Sequence, residues 1–159
     1  MTNNDVLRGV RYALDLPTAA MAEIFTLSGH PVTQEKILPL LKNEEEKGFV
    51  ACADALMEDF LSGLIIYKRG RQEGKPERPA QATEPLTNNS ILKKLRIALI
   101  LQEGDMLDIL QQAGNPVSKS ELSALFRKAG HKNYKECGDQ FLRNFLKGLA
   151  LRYRETDSR

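Results

Sequence analysis

Two segments of the chain carry nearly the same residues, and this duplication limits the folds that the chain can adopt. The stretch NNDVLRGVRYALDL at 3–16 matches NNSILKKLRIALIL at 88–101. Shifted by 85 positions, the match runs without a gap from 3–70 onto 88–155, and 21 of these 68 positions are identical. Because chance agreement would be about one position in fifteen, the chain contains two copies of one structural unit.

The spacing of apolar residues predicts helices throughout each copy. The first predicted helix has one apolar face, formed by Val6, Leu7, Val10, Ala13 and Leu14. An asparagine at 3 or 4, repeated at 88 and 89, is placed to cap its first turn.

Three further helices complete each copy. The second ends at Gly29 or Gly114, where glycine can adopt a left-handed conformation. The third begins after Pro31 or Pro116, and Asp54 or Asp139 is expected to cap the fourth.

The expected fold class is therefore all-α, with two tandem four-helix repeats packed as a pseudo-two-fold helical bundle. A unit of 68 residues buries its apolar area poorly by itself. The predicted segments are repeat 1 at 1–70, a flexible proline-rich linker at 71–87, repeat 2 at 88–155 and a tail at 156–159.

Several repeated residues fit structural roles. Gly63 and Gly148 lie inside the most apolar helix, where glycine costs about 1 kcal/mol relative to alanine. We therefore expect a neighbouring helix to pass close by, within a copy or across the interface between copies, and a backbone-lined ligand site is the alternative. Structural ion pairs are predicted from a repeated arginine to a repeated aspartate, namely Arg11 with Asp54 and Arg96 with Asp139.

No enzyme signature emerges from the residues. Cys52 and Cys137 match each other across the copies, whereas His30 and His131 do not, so cysteine–histidine catalysis and a metal site are not expected. We expect no catalytic residues, no bound cofactor and no metal, and hence no enzyme.

The two copies differ in charge. Residues 1–70 have a net charge of −3, whereas residues 88–155 have +5. The second copy can thus present a basic surface to nucleic acid or to an acidic protein. Its candidate residues are Lys93, Lys94, Arg127, Lys128, Lys132, Lys135, Arg143 and Lys147.

The segment ILQQAGNPVSKSELSALFRK at 109–128 resembles the start of a winged-helix domain. The next predicted helix is rich in Phe and Leu, whereas a recognition helix exposes polar residues to base edges. We therefore expect an uncharacterised, non-enzymatic protein that binds an unknown protein partner. A nucleic-acid-associated regulator that uses the basic second repeat is the alternative, and the oligomeric state is open.

The apolar runs fall far short of the roughly 20 residues that cross a bilayer. The N-terminal residues 1–5 are polar and carry no basic-then-apolar pattern typical of a signal peptide. We expect a cytoplasmic location and no association with a membrane.

The motifs NNxxLRxxRxAL at 3–14, GHPV at 29–32 and KGFxxCxDxxMxxFLxGL at 47–64, with their second-copy forms, resemble the YehS-like family of bacterial proteins. That family is built from two copies of a short helical domain of unknown function. The resemblance implies a cytoplasmic, all-helical bacterial protein and brings no activity or site residue with it.

Overall fold

In a computed structural model, the chain forms an all-α bundle; residues 1–70 and 86–157 are described. The four helices of repeat 1 are α1 (Asn3–Leu14), α2 (Thr18–Leu27), α3 (Gln34–Leu40) and α4 (Asp54–Arg69). The four of repeat 2 are α5 (Asn88–Leu99), α6 (Glu103–Gln112), α7 (Lys119–Leu125) and α8 (Asp139–Asp157). Within the described residues no strand is present, and the all-α fold class is confirmed.

The two repeats exchange contacts across a pseudo-two-fold axis. The first helix of each repeat packs against the fourth helix of the other, α1 on α8 and α4 on α5. Within each repeat the second helix packs on the fourth, α2 on α4 and α6 on α8. One apolar core therefore runs through both repeats and includes Phe25, Phe60 and Phe145, all fully buried. The expected docking of the two copies is confirmed.

Gly63 and Gly148 lie where two helices cross. An added Cβ at Gly63 would lie 1.9 Å from the carbonyl oxygen of Ile24 in α2, and one at Gly148 would lie 2.2 Å from that of Ile109 in α6. The predicted close approach is confirmed. It occurs within each repeat, rather than between the two repeats.

The predicted helix caps at the asparagines are wrong. Thr2 and Thr87 cap α1 and α5, and each hydroxyl accepts a hydrogen bond from the backbone N–H three residues later. The asparagines lie inside the helices, where their side chains make longer-range contacts. Thr87 therefore belongs to the start of α5 and not to the linker, most of which, at 71–85, lies outside the described residues.

The fourth helix also begins differently from the prediction. Ala53 is the capping residue of α4, and Asp54 is its first helical residue. At the other end of the chain, α8 runs to Asp157 and so takes up part of the predicted tail at 156–159.

Candidate functional site

A buried asparagine in each repeat ties the first helix to the loop before the fourth. The side-chain amide of Asn4 donates to the carbonyls of Leu40 and Val50 at 3.0 and 2.8 Å, and its oxygen accepts from the N–H of Cys52 at 2.9 Å. Asn89 makes the same three bonds to Leu125, Lys135 and Cys137. We call this arrangement the asparagine clamp. It satisfies two backbone carbonyls and one backbone N–H in each repeat.

The asparagine that precedes the clamp residue in each repeat binds the repeated aspartate at the start of the fourth helix. Asn3 donates to Asp54 at 2.8 Å, and Asn88 donates to Asp139 at the same distance. The hydrogen bond from Asn88, together with the terminal ammonium of Met1, holds the pKa of Asp139 below its usual range.

The predicted ion pairs of Arg11 with Asp54 and of Arg96 with Asp139 are therefore not formed. The Nε of Arg11 is buried and has no hydrogen-bond partner among the described residues. Arg96 instead donates from Nε to the carbonyl of Leu101 at 3.0 Å and lies over the ring of Phe126 at 4.8 Å. The sequence pattern showed repeated charges, but it contained no information on which side chain the aspartate would reach.

The two repeated cysteines are unsuited to nucleophilic chemistry. Burial, assisted by the carboxylate of Asp54, raises the pKa of the Cys52 thiol to about 11. Burial and Asp139 do the same for Cys137, also to about 11. Both thiols are protonated at neutral pH.

Two adjoining concavities, lined by repeat 2 and by Arg69 at the end of α4, form one groove, which we call the cationic groove. They have volumes of about 340 and 320 Å³ and share Arg96 and Phe126. The cations that line the groove are Arg69, Lys93, Arg96, Lys119 and Arg127. Glu103 is the single carboxylate among the described residues of the lining, and Ile97 and Ile100 add apolar surface. The groove is therefore strongly positive.

The structure brings only part of the predicted basic surface into this groove. Of the eight candidates, Lys93 and Arg127 line it. The other six lie elsewhere, on α5, on the exposed segment after α7 and on α8: Lys94, Lys128, Lys132, Lys135, Arg143 and Lys147. Sequence reasoning missed Arg69 and Lys119, and it assigned Arg96 to a different role. The missed signal is the set of aligned positions at which the copies differ, such as Asp15 against Ile100.

The equivalent place in repeat 1 is closed by side chains. Arg154, the counterpart of Arg69, lies over the Tyr12 ring at 4.1 Å. Its Nη1 donates to the Tyr12 carbonyl at 2.9 Å and lies 3.5 Å from the Asp15 carboxylate. Arg8, the counterpart of Lys93, pairs with Asp5. In repeat 2 the partner positions hold Ile97, Ile100 and Ser90, which carry no charge.

The residue at the corner of the groove has a strained backbone. Ile100 is the C-cap residue of α5, with φ 54° and ψ 48°, and it is 58% exposed. Left-handed backbone is unfavourable for a β-branched residue. Asp15 has the same conformation in repeat 1, where a short polar residue tolerates it better.

The structure thus defines a duplicated, pseudo-symmetric helical protein in which one of two equivalent surface sites is open and cationic. The chain belongs to the family described as proteins of unknown function DUF1456, whose model matches both 3–70 and 88–155. It is similar to the uncharacterized protein YehS of Escherichia coli (strain K12), with 45% identity over 155 residues, which is 96% of each chain. No solved structure gives a significant match.

Within the described ranges, no group of three or more His, Cys, Asp or Glu side chains is placed to hold a metal ion. None of the helices described is both long enough and apolar enough to cross a membrane.

Proposed function

We propose that this chain is a non-enzymatic, cytoplasmic interaction protein that recruits an acidic protein partner through the cationic groove. The observation that carries the proposal is the contrast between the repeats. At the repeat 1 site Arg8 and Arg154 pair with Asp5 and Asp15, whereas their counterparts Lys93 and Arg69 have Ser90 and Ile100, which carry no charge, at the positions of these aspartates. Among the described residues, the lining of the groove holds five cations and one carboxylate. Uncompensated charges in one groove attract a partner of opposite sign.

The non-enzymatic role is supported by the state of the thiols. Cys52 and Cys137 are the thiols that the two repeats share, and burial raises the pKa of each to about 11. A protonated, buried thiol is a poor nucleophile.

A protein partner is favoured over duplex DNA by the position of α8. This helix follows the segment that resembles a winged-helix start, and it packs against α1 and α6. Its Phe145 and Leu149 are fully buried, so that face cannot enter a major groove. Exposed Ile100 also offers apolar contact, which a protein side chain can use.

Nucleic acid is the second candidate because lysines continue beyond the groove. Lys128, Lys132 and Lys135 lie on the exposed segment that directly follows Arg127. A phosphate backbone contacts cations over such a distance.

The test uses defined probes and charge-matched variants. Binding of a fluorescent polyglutamate peptide and of single- and double-stranded DNA is measured by anisotropy at several salt concentrations. Reversing three groove cations (Arg69→Glu, Lys93→Glu, Arg127→Glu) should abolish peptide binding. The matched control reverses three cations outside the groove (Lys132→Glu, Arg143→Glu, Lys147→Glu) and should keep most of it.

Equal losses in the two triple variants would contradict a role for the groove. Tighter binding to DNA than to the peptide, with a steep salt dependence, would favour the nucleic-acid alternative. Pull-down from bacterial lysate with and without nuclease then separates the two kinds of partner.

A further inference from the structure

We infer that the group recognised in the cationic groove is a phosphate monoester joined to an apolar moiety. This inference rests on the proposed function and specifies its ligand chemistry. Within residues 1–70 and 86–157, the lining of the first concavity contains three cations, Arg69, Lys93 and Arg96, and no carboxylate. A phosphate monoester carries a charge of about −1.5 to −2 near pH 7 and three acceptor oxygens.

The equivalent site of repeat 1 shows how many cations pair with one carboxylate. There Arg154 contacts the Asp15 carboxylate, the Tyr12 carbonyl and the Tyr12 ring, and Arg8 forms an ion pair with Asp5. Each carboxylate serves one cation. Arg69 and Lys93, which have Ile100 and Ser90 at the positions of these carboxylates, therefore match a dianion better than a single carboxylate.

Arg96 is held in position for such a ligand. Its Nε bond to the Leu101 carbonyl and its stacking on Phe126 fix the plane of the guanidinium. A fixed guanidinium loses little freedom when its terminal nitrogens donate to two oxygens of one phosphate. Because Arg96 lines both concavities, it is the natural anchor.

Ile100 indicates the apolar part of the ligand. A β-branched side chain that is 58% exposed in left-handed backbone contributes little to the fold at that position. It lies in the same lining as Ile97 and the cations. A ligand whose apolar group covers these isoleucines would gain the contact that the fold leaves unused.

The experiment titrates the full chain with three small probes and follows backbone amides by NMR. The probes are phenyl phosphate, benzoate and inorganic phosphate at constant ionic strength. Phenyl phosphate should shift the amides of 96–101 and bind about tenfold more tightly than benzoate, as expected for an additional charge-assisted contact. It should also bind more tightly than inorganic phosphate, because the ring contacts Ile97 and Ile100.

Two variants locate the site. Ile100→Asp installs the repeat 1 residue beside Arg69 and should weaken phenyl phosphate binding about tenfold by pairing with that arginine. Arg69→Ala should weaken binding to a similar degree. Arg154→Ala, the equivalent change in repeat 1, is the matched control and should leave the affinity unchanged, and circular dichroism verifies the fold of all three.

Two further arms separate the sources of the phosphate. A phosphoserine peptide with flanking apolar residues that binds more tightly than phenyl phosphate would indicate a modified protein, and the reverse order would indicate a small metabolite. Benzoate as tight as phenyl phosphate, or an unchanged affinity in Ile100→Asp, would overturn the inference. If polyglutamate still binds in the groove in that case, the proposed function stands; if it does not, both fail.

Discussion

Repeat 1 and repeat 2 have the same internal framework and different surfaces at one place. Both contain the asparagine clamp, the glycine at the helix crossing and the buried cysteine. They differ where α1 and α5 end, because Asp15 and Tyr12 close one site over Arg154, whereas Ile100 and Ile97 leave the other open beside Arg69.

This difference separates what the fold needs from what it does not need. The clamp asparagine, the crossing glycine and the buried cysteine each perform a packing or hydrogen-bonding task that both copies repeat. Ile100 differs from Asp15 at an exposed position and is free of that task, so the open state of the cationic groove is not explained by the stability of the bundle. Repeat 1 is in effect an internal control for repeat 2.

The largest effect is expected at the asparagine clamp. Asn4→Leu and Asn89→Leu each leave two carbonyls and one N–H without their partner, at a cost of about 4 kcal/mol in the free energy of unfolding. Urea denaturation followed by circular dichroism measures it. A loss below about 1 kcal/mol in either repeat would show that water or a neighbouring group replaces the clamp.

The helix crossings should respond almost as strongly. Gly63→Ala and Gly148→Ala place a Cβ against the carbonyls of Ile24 and Ile109, so the helices have to separate, at a cost of about 3 kcal/mol. Gly104→Ala is the matched control, since it lies in α6 with no atom within 4 Å of the added Cβ. It should raise stability slightly through helix propensity. Similar thermal midpoints for Gly104→Ala and Gly148→Ala would contradict the crossing.

The ends of α1 and α5 should respond in opposite directions. Ile100→Asn relieves left-handed strain at a largely exposed position and should raise the free energy of unfolding by about 1 kcal/mol. Asp15→Ile introduces the same strain in repeat 1, removes the contact with Arg154 and should lower it. Changes of the same sign in chemical denaturation would refute the interpretation of the strain.

The smallest effect concerns alkaline pH. The pKa of both thiols is raised from the ordinary 9.0 to about 11, so between these values the folded chain binds more protons than the unfolded chain. The contribution of the two thiols to the free energy of unfolding is therefore fully present below about pH 9, and it is lost as pH rises towards about 11. A double Cys52→Ala, Cys137→Ala variant should show a shallower decline, and alkylation at pH 8 should be slow at both thiols. Fast alkylation of one thiol alone would contradict the prediction that the two cysteines have equivalent surroundings.

Much of the fold could be predicted from residues alone. The duplication and the spacing of apolar side chains indicated eight helices, and Gly63 with Gly148 indicated a close helix contact. These features depend on local periodicity and on the absence of a side chain, both visible in the sequence. The caps were assigned to the asparagines instead of to Thr2 and Thr87, because either residue type can cap a helix.

Sequence by itself determined that one helical unit occurs twice, because a repeated apolar pattern forms the same helices wherever it occurs. Tertiary structure alone decided that α1 packs on α8 and that Asp54 and Asp139 are bound by asparagines. It alone gathered Arg69, Arg96 and Lys119 around one groove, since these residues come from three different helices. Contacts between distant side chains depend on how helices cross, and that geometry is a property of the packed core and not of any local stretch of residues.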